Sequence, residues 1–101
     1  MTKISKKFIE TLKMLGYSVS EETNCYFILN ITEHIQYMFT RHSNSNLYIG
    51  IPLTPTVSSL IDSKNILGIL DEFIHKLKHF FKTAHYKGNT VYINAEDTLW
   101  N

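Results

Sequence analysis

Cysteine is all but missing from this chain: Cys25 is the only one. No disulfide can close within the chain, and a four-cysteine zinc site is excluded. A lone cysteine opening an apolar run reads as a small buried hydrophobe rather than a nucleophile. Glycine is scarce as well, with four residues, and neither a glycine-rich phosphate loop nor a Gly-x-Ser-x-Gly elbow occurs. No stretch approaches the ~20 apolar residues of a membrane helix. Lys3, Lys6 and Lys7 open the sequence, but the apolar positions behind them are spaced out, so no secretory signal is expected. Charge of one sign is not in surplus either. Ten Lys and Arg stand against nine Asp and Glu, a net charge of +1, whereas a general polyanion binder is basic across its whole domain. These absences lead us to expect a cytoplasmic protein off the membrane, without cofactor, metal or enzymatic activity.

Aromatic residues are abundant: six Phe, six Tyr and Trp100, 13% of the chain. At 101 residues the chain is expected to form a single globular domain, 1–101, around one core. Its charges fall in blocks. Residues 1–16 carry four Lys against Glu10, residues 17–40 carry Glu21, Glu22 and Glu33 without a basic partner, and residues 75–88 carry four Lys without an acid. Glu96 and Asp97 follow near the end. Heavy use of Ile, Lys, Asn and Ser fits an AT-rich coding sequence of the kind common in mobile bacterial DNA.

Ile4, Phe8, Leu12 and Leu15 recur at helical spacing, and Gly16 follows as a helix-ending residue should, which predicts a helix over 3–15. Period two then takes over. Phe27, Leu29 and Ile31 share one face and Tyr26, Ile28 and Asn30 the other; Ile35, Tyr37 and Phe39 oppose His34, Gln36 and Met38. Thr32 and Glu33 join these runs as a tight hairpin. In "LYIGIPL" Leu47, Ile49, Ile51 and Leu53 are read as the core side against Tyr48, Gly50 and Pro52. Residues 17–20 extend this meander. Beyond Pro55, a short turn at Val57, Leu60 and Ile61 and a cap at Ser63 lead into a long helix over 64–82, its stripe running through Ile66, Leu70, Phe73, Ile74, Leu77, Phe80 and Phe81. "KGN" reads as a turn and "TVYIN" as the last strand. The expected fold is α+β: an antiparallel sheet of four to five strands with two main helices, N-terminal and 64–82, on one face. Leu12, Phe27, Leu29, Phe39, Ile49, Leu70, Ile74 and Leu77 are the expected core.

Candidate sites follow from this frame. Asp71, His75, His79 and Lys82 stack along one side of the predicted long helix, a spacing that can hold zinc. Lys76 stands where the zincin pattern needs a glutamate, and Lys78 and Lys82 set like charge beside any cation, so this side is read as solvated and metal-free. Glu21 and Glu22 are placed in a turn, and His42 beside Arg41 in a polar loop. For nucleic acid, Lys76, Lys78, Lys82 and Lys87 are the phosphate contacts, with Tyr86 as a stacking ring. For a protein partner, Tyr26, Ile28, Met38 and Tyr48 would form an outward patch on neighbouring strands, unless the tail "AEDTLW" folds back with Trp100 as a lid.

The function these features point to is docking of another macromolecule. The first reading is a bacterial immunity protein, an inhibitor that occupies a cognate toxin and presents acids to its basic active site. Glu21, Glu22 and Glu33 lead as contacts, with Tyr26, Tyr48, Glu96 and Asp97 beside them. In element order, "FIETLKMLGYSV" through "CYFILNITEHIQYMF" to "LYIGIPL" and the next helix resembles the class I chaperones of type III secretion, over roughly residues 8–75. That resemblance implies a dimer holding an effector segment in extended form. Those chaperones continue with two strands and a third helix, against the single strand read here. A third reading is a phage or plasmid regulator that places the lysines of 75–88 on nucleic acid.

Overall fold

The first helix starts at its cap rather than at the first residue of its apolar stripe. In the computed structural model, which describes residues 3–43, 45–53 and 63–95, α1 spans Lys6–Met14. The Ser5 side chain accepts from the Phe8 N–H at 3.4 Å, satisfying one of the donors a helix N-terminus leaves open. At the other end Gly16, with φ +100°, donates to the Lys13 carbonyl at 3.0 Å while Tyr17 reaches back to the Leu12 carbonyl at 3.3 Å. This is a Schellman closure, and glycine adopts its left-handed conformation without strain. Phe8, Ile9 and Leu12 turn inward.

The strands β1 (Ser18–Glu22), β2 (Tyr26–Thr32), β3 (Ile35–Arg41) and β4 (Leu47–Pro52) follow, then α2 (Ser63–Leu77), β5 (His85–Lys87) and β6 (Thr90–Asn94). All six strands join one antiparallel sheet in the order β1-β2-β3-β4-β6-β5. Phe8, Ile9 and Leu12 of α1 and Leu70, Phe73, Ile74 and Leu77 of α2 share one core with Phe27, Leu29, Tyr37, Phe39, Tyr48, Val91 and Ile93 of the sheet. Both helices therefore cover the same face. The fold is the expected α+β arrangement, with six strands rather than four or five. The unexpected strand is β5, three residues long at one edge; β1, at the other edge, is the expected extension at 17–20 carried on to Glu22, and it is bulged between Val19 and Glu21, as edge strands often are.

Two predicted details are overturned. The long helix stops at Leu77, not at residue 82. Beyond it the His79 and Phe80 backbone N–H groups reach three residues back, to the Lys76 carbonyl at 3.3 Å and the Leu77 carbonyl at 2.9 Å, while that of Phe81 still reaches Leu77 at 2.7 Å, a mixed last turn from which the chain leaves toward β5. Phe81 and Ala84 are still buried, and β5 returns to β6 through the turn at Gly88, φ +64°, and Asn89. The face assignment of β4 is also reversed. Tyr48 is 1% exposed whereas Ile51 is 48% exposed, and Ile49 is half-buried on the outer side. The reason is tertiary. The Phe8 ring stacks on Tyr48 at 4.0 Å, the Tyr48 hydroxyl accepts from the Ser5 N–H at 2.9 Å, and Gly50 leaves room for the buried Phe39 ring.

The remaining expected core residues, Leu12, Phe27, Leu29, Phe39, Leu70, Ile74 and Leu77, are buried. Pro55, Val57, Leu60, Ile61, Glu96, Asp97 and Trp100 lie outside the described residues, as do the side chains of Ser63 and Ile66.

Candidate docking face

Side chains alternate across a strand, so a sheet covered by helices on one face shows every second residue on the other. The pairing registers set those outer residues in rows. Glu21 faces Ile28, Ile28 faces Met38, and Met38 faces Ile51. One row along, Tyr26 faces Thr40, Thr40 faces Ile49, Ile49 faces Tyr92, and Tyr92 faces His85. None of Tyr26, Ile28, Met38, Ile49, Ile51 and Tyr92 is fully buried. Next to them lies a polar row. The Asn30 amide donates to Ser18 at 2.9 Å and Ser20 at 2.8 Å, and the Gln36 amide donates to Asn30 Oδ1 at 2.9 Å. The outer face is thus an apolar centre with a hydrogen-bonded polar border.

Its acidic rim is built at the β1 edge. The Tyr26 hydroxyl donates to Glu21 Oε1 at 2.7 Å, and that bond, with burial and the carboxylate charge behind it, pushes the Tyr26 phenol up from 10.0. Glu22 faces Phe27, so it stands on the same edge but points to the other side of the sheet. Both glutamates lie in a strand, not in the expected turn. Glu33 does not join them. It sits in the β2–β3 turn against His34 at 3.1 Å, five residues along β2 from the partner of Glu21, or about 17 Å at strand rise. Tyr48, expected on this face, belongs to the core. Ile49, Ile51 and Tyr92 take its place, and sequence reasoning missed them. The signal was Gly50: a strand-interior glycine marks a close approach, hence an inward position.

The predicted lysine patch divides. Lys76 stands 3.8 Å from Glu72 and over the Tyr17 ring at 5.6 Å, lining an open groove of about 620 Å³ with Leu15, Asn30, Thr32 and Glu33. Burial, then the Glu72 charge, raises the Tyr17 phenol. Lys78 instead lines a smaller hollow of about 320 Å³ with Asp71, His75, His85 and Tyr86. There the Tyr86 hydroxyl donates to Asp71, which raises that phenol and engages the ring proposed for base stacking. His75 and His79 remain close, ring centroids 5.5 Å apart, but His79 and Lys82 lie beyond the end of α2, so the expected continuous helix side does not exist. Among the described residues no three His, Cys, Asp or Glu side chains are grouped to hold a cation. No described helix is long and apolar enough to cross a membrane.

Arg41 is a structural residue. It donates to the Ser45 and Lys3 carbonyls at 2.7 and 3.0 Å and to Asn46 Oδ1 at 2.9 Å, holding the loop that carries the exposed His42. Cys25 is a half-buried free thiol in the β1–β2 turn. Compared with protein-family models, curated proteins and solved structures, the chain gives no match.

Proposed function

We propose that this chain is a protein-binding module without a reaction of its own, and that it acts as an immunity-type inhibitor docking a toxin of the contact-dependent or bacteriocin kind. The observation that carries this reading is the Tyr26–Glu21 pair at the rim of the outer apolar sheet face, which no described helix covers. An aromatic ring, a hydrogen-bonded carboxylate and an adjoining apolar surface are what an interface needs at its anchor, its rim and its centre. The Glu21 carboxylate at the β1 edge of this face favours a partner with a basic surface, since like charge opposed across an interface is repulsive. Glu33, remote from this rim, drops out of the contact set.

The test is capture from the native host on immobilised wild type and on Glu21→Lys/Glu22→Lys, followed by co-expression with the captured protein. The expected partner is a basic polypeptide that is retained by wild type, lost by the variant, and relieved of its toxicity when the wild type is co-expressed. Capture of nucleic acid, or of a polypeptide held equally by both, contradicts the reading.

A second reading, the class I-like secretion chaperone, gains one observation. Two strands, β5 and β6, follow α2, where the sequence alone suggested one, and two strands are what the chaperone element order requires. Its partner would be an extended effector segment seated in apolar pockets, with little dependence on either charge set. The nucleic-acid reading loses support, because Lys76 and Lys78 stand in different clefts.

A further inference from the structure

The outer sheet face is asymmetric in charge from one edge to the other. Glu21 stands at the β1 edge, followed by Ile28, Met38 and Ile51, and at the opposite edge β5 carries His85 and Lys87, Lys87 beside Thr90 of β6. Between the acidic and the basic edge stand Ile28, Met38, Ile51, Tyr26, Ile49 and Tyr92, with Thr40 and Thr90 among them. Such a face is complementary to itself. A two-fold axis along the strands, midway between β3 and β4, exchanges β1 with β5 and β2 with β6 in the order the sheet shows. Glu21 of one copy then lies over Lys87 of the other, Met38 over Ile51, and Tyr26 over Tyr92. A two-fold axis across the strands would instead set Glu21 over Glu21 and Lys87 over Lys87, so charge selects the first.

We infer that the free protein pairs with a second copy of itself through this outer sheet face, in that orientation. The arrangement is an aligned sheet-on-sheet packing with an isologous interface, two ordinary solutions to an exposed sheet face. Six strands at about 4.8 Å spacing and four outward rows give roughly 24 by 20 Å, or about 1,000 Å² over two copies. That is the lower bound for a specific interface, so the pair is weak and depends on concentration. The pairing does not rest on the inhibitor reading. It adds to it that a basic partner and the second copy compete for Glu21.

Sedimentation velocity of the purified full chain, over about a hundredfold range of concentration, reads this without any partner. The wild type is expected to pass from one copy to two as concentration rises. Met38→Glu, with its circular dichroism unchanged, is expected to stay monomeric throughout. Glu21→Lys sets lysine over lysine at both ends of the interface and is expected to weaken the pair about fivefold. Adding Lys87→Glu to that variant restores the charge match and the affinity. These two rim positions are exposed, so the exchange stays informative even if Met38→Glu disturbs folding. A wild type that is monomeric at every concentration, as it would be if residues beyond 95 covered the face, overturns the inference. So does a dimer indifferent to Met38→Glu, or a Glu21→Lys defect that Lys87→Glu fails to repair.

Discussion

Phe39 and Gly50 face each other across β3 and β4, and a Cβ on Gly50 would fall 2.5 Å from the Phe39 ring. Phe39 is fully buried and stacks on Phe27 at 5.3 Å, so the ring cannot swing aside without losing that contact. Gly50→Ala is therefore expected to destabilise the fold by about 1–3 kcal/mol, the range for overpacking a core. Urea denaturation checks it. A change within about ±0.5 kcal/mol, the level of surface substitutions, would mean that the ring has room the structure does not show.

The reversed faces of β4 give a paired prediction. Tyr48→Ala removes a buried ring together with the acceptor for the Ser5 N–H, and is expected to cost about 3–5 kcal/mol. Ile49→Ala, on the outer face, is expected to cost less than about 1 kcal/mol. Both are read from the same denaturation curves at low protein concentration, where a pair of copies does not contribute.

How far this was legible in the sequence depends on whether a residue's signal was local. Phe27, Leu29, Ile35, Tyr37 and Phe39 alternate cleanly, and their strands and inward faces are as the periodicity predicts. In β4 both alternating sets are apolar enough to be core, and hydropathy alone chose wrongly. The Phe39–Gly50 contact that decides the matter lies across the sheet, and its trace in the linear sequence is the glycine inside the strand. For β5, three residues long, the only evidence is its partner. The acids were visible as a block, but Glu21 and Glu33 are separated by the length of a strand, and only the register reveals it. Ile49, Ile51 and Tyr92 entered the docking face through the same register.

Tyr37 supplies a pH dependence. It is buried, its hydroxyl donates to the Asn89 carbonyl at 2.6 Å, and burial pushes its phenol from 10.0 up to about 12. The unfolded chain releases this proton at lower pH than the folded one. Its contribution to stability is therefore complete below pH 10 and is lost as pH rises through about 12. Stability should fall across that window, and Tyr37→Phe should flatten part of the fall while losing the Asn89 bond. Denaturation midpoints measured across that window for both proteins check the slope; a wild type whose stability rises there would contradict the assignment.

The acid rim against the lysines is the contrast on which the functional account turns. With the captured partner in hand, association rates are measured at about 50 and about 200 mM salt for three proteins: wild type, Glu21→Lys/Glu22→Lys, and Lys78→Glu/Lys82→Glu. Rim charges act mainly on encounter, so slower association and a weaker salt dependence are expected for the glutamate variant, with the lysine variant close to wild type. Loss of binding in the lysine variant alone, with wild-type affinity falling about tenfold or more between the two salt concentrations, would contradict it.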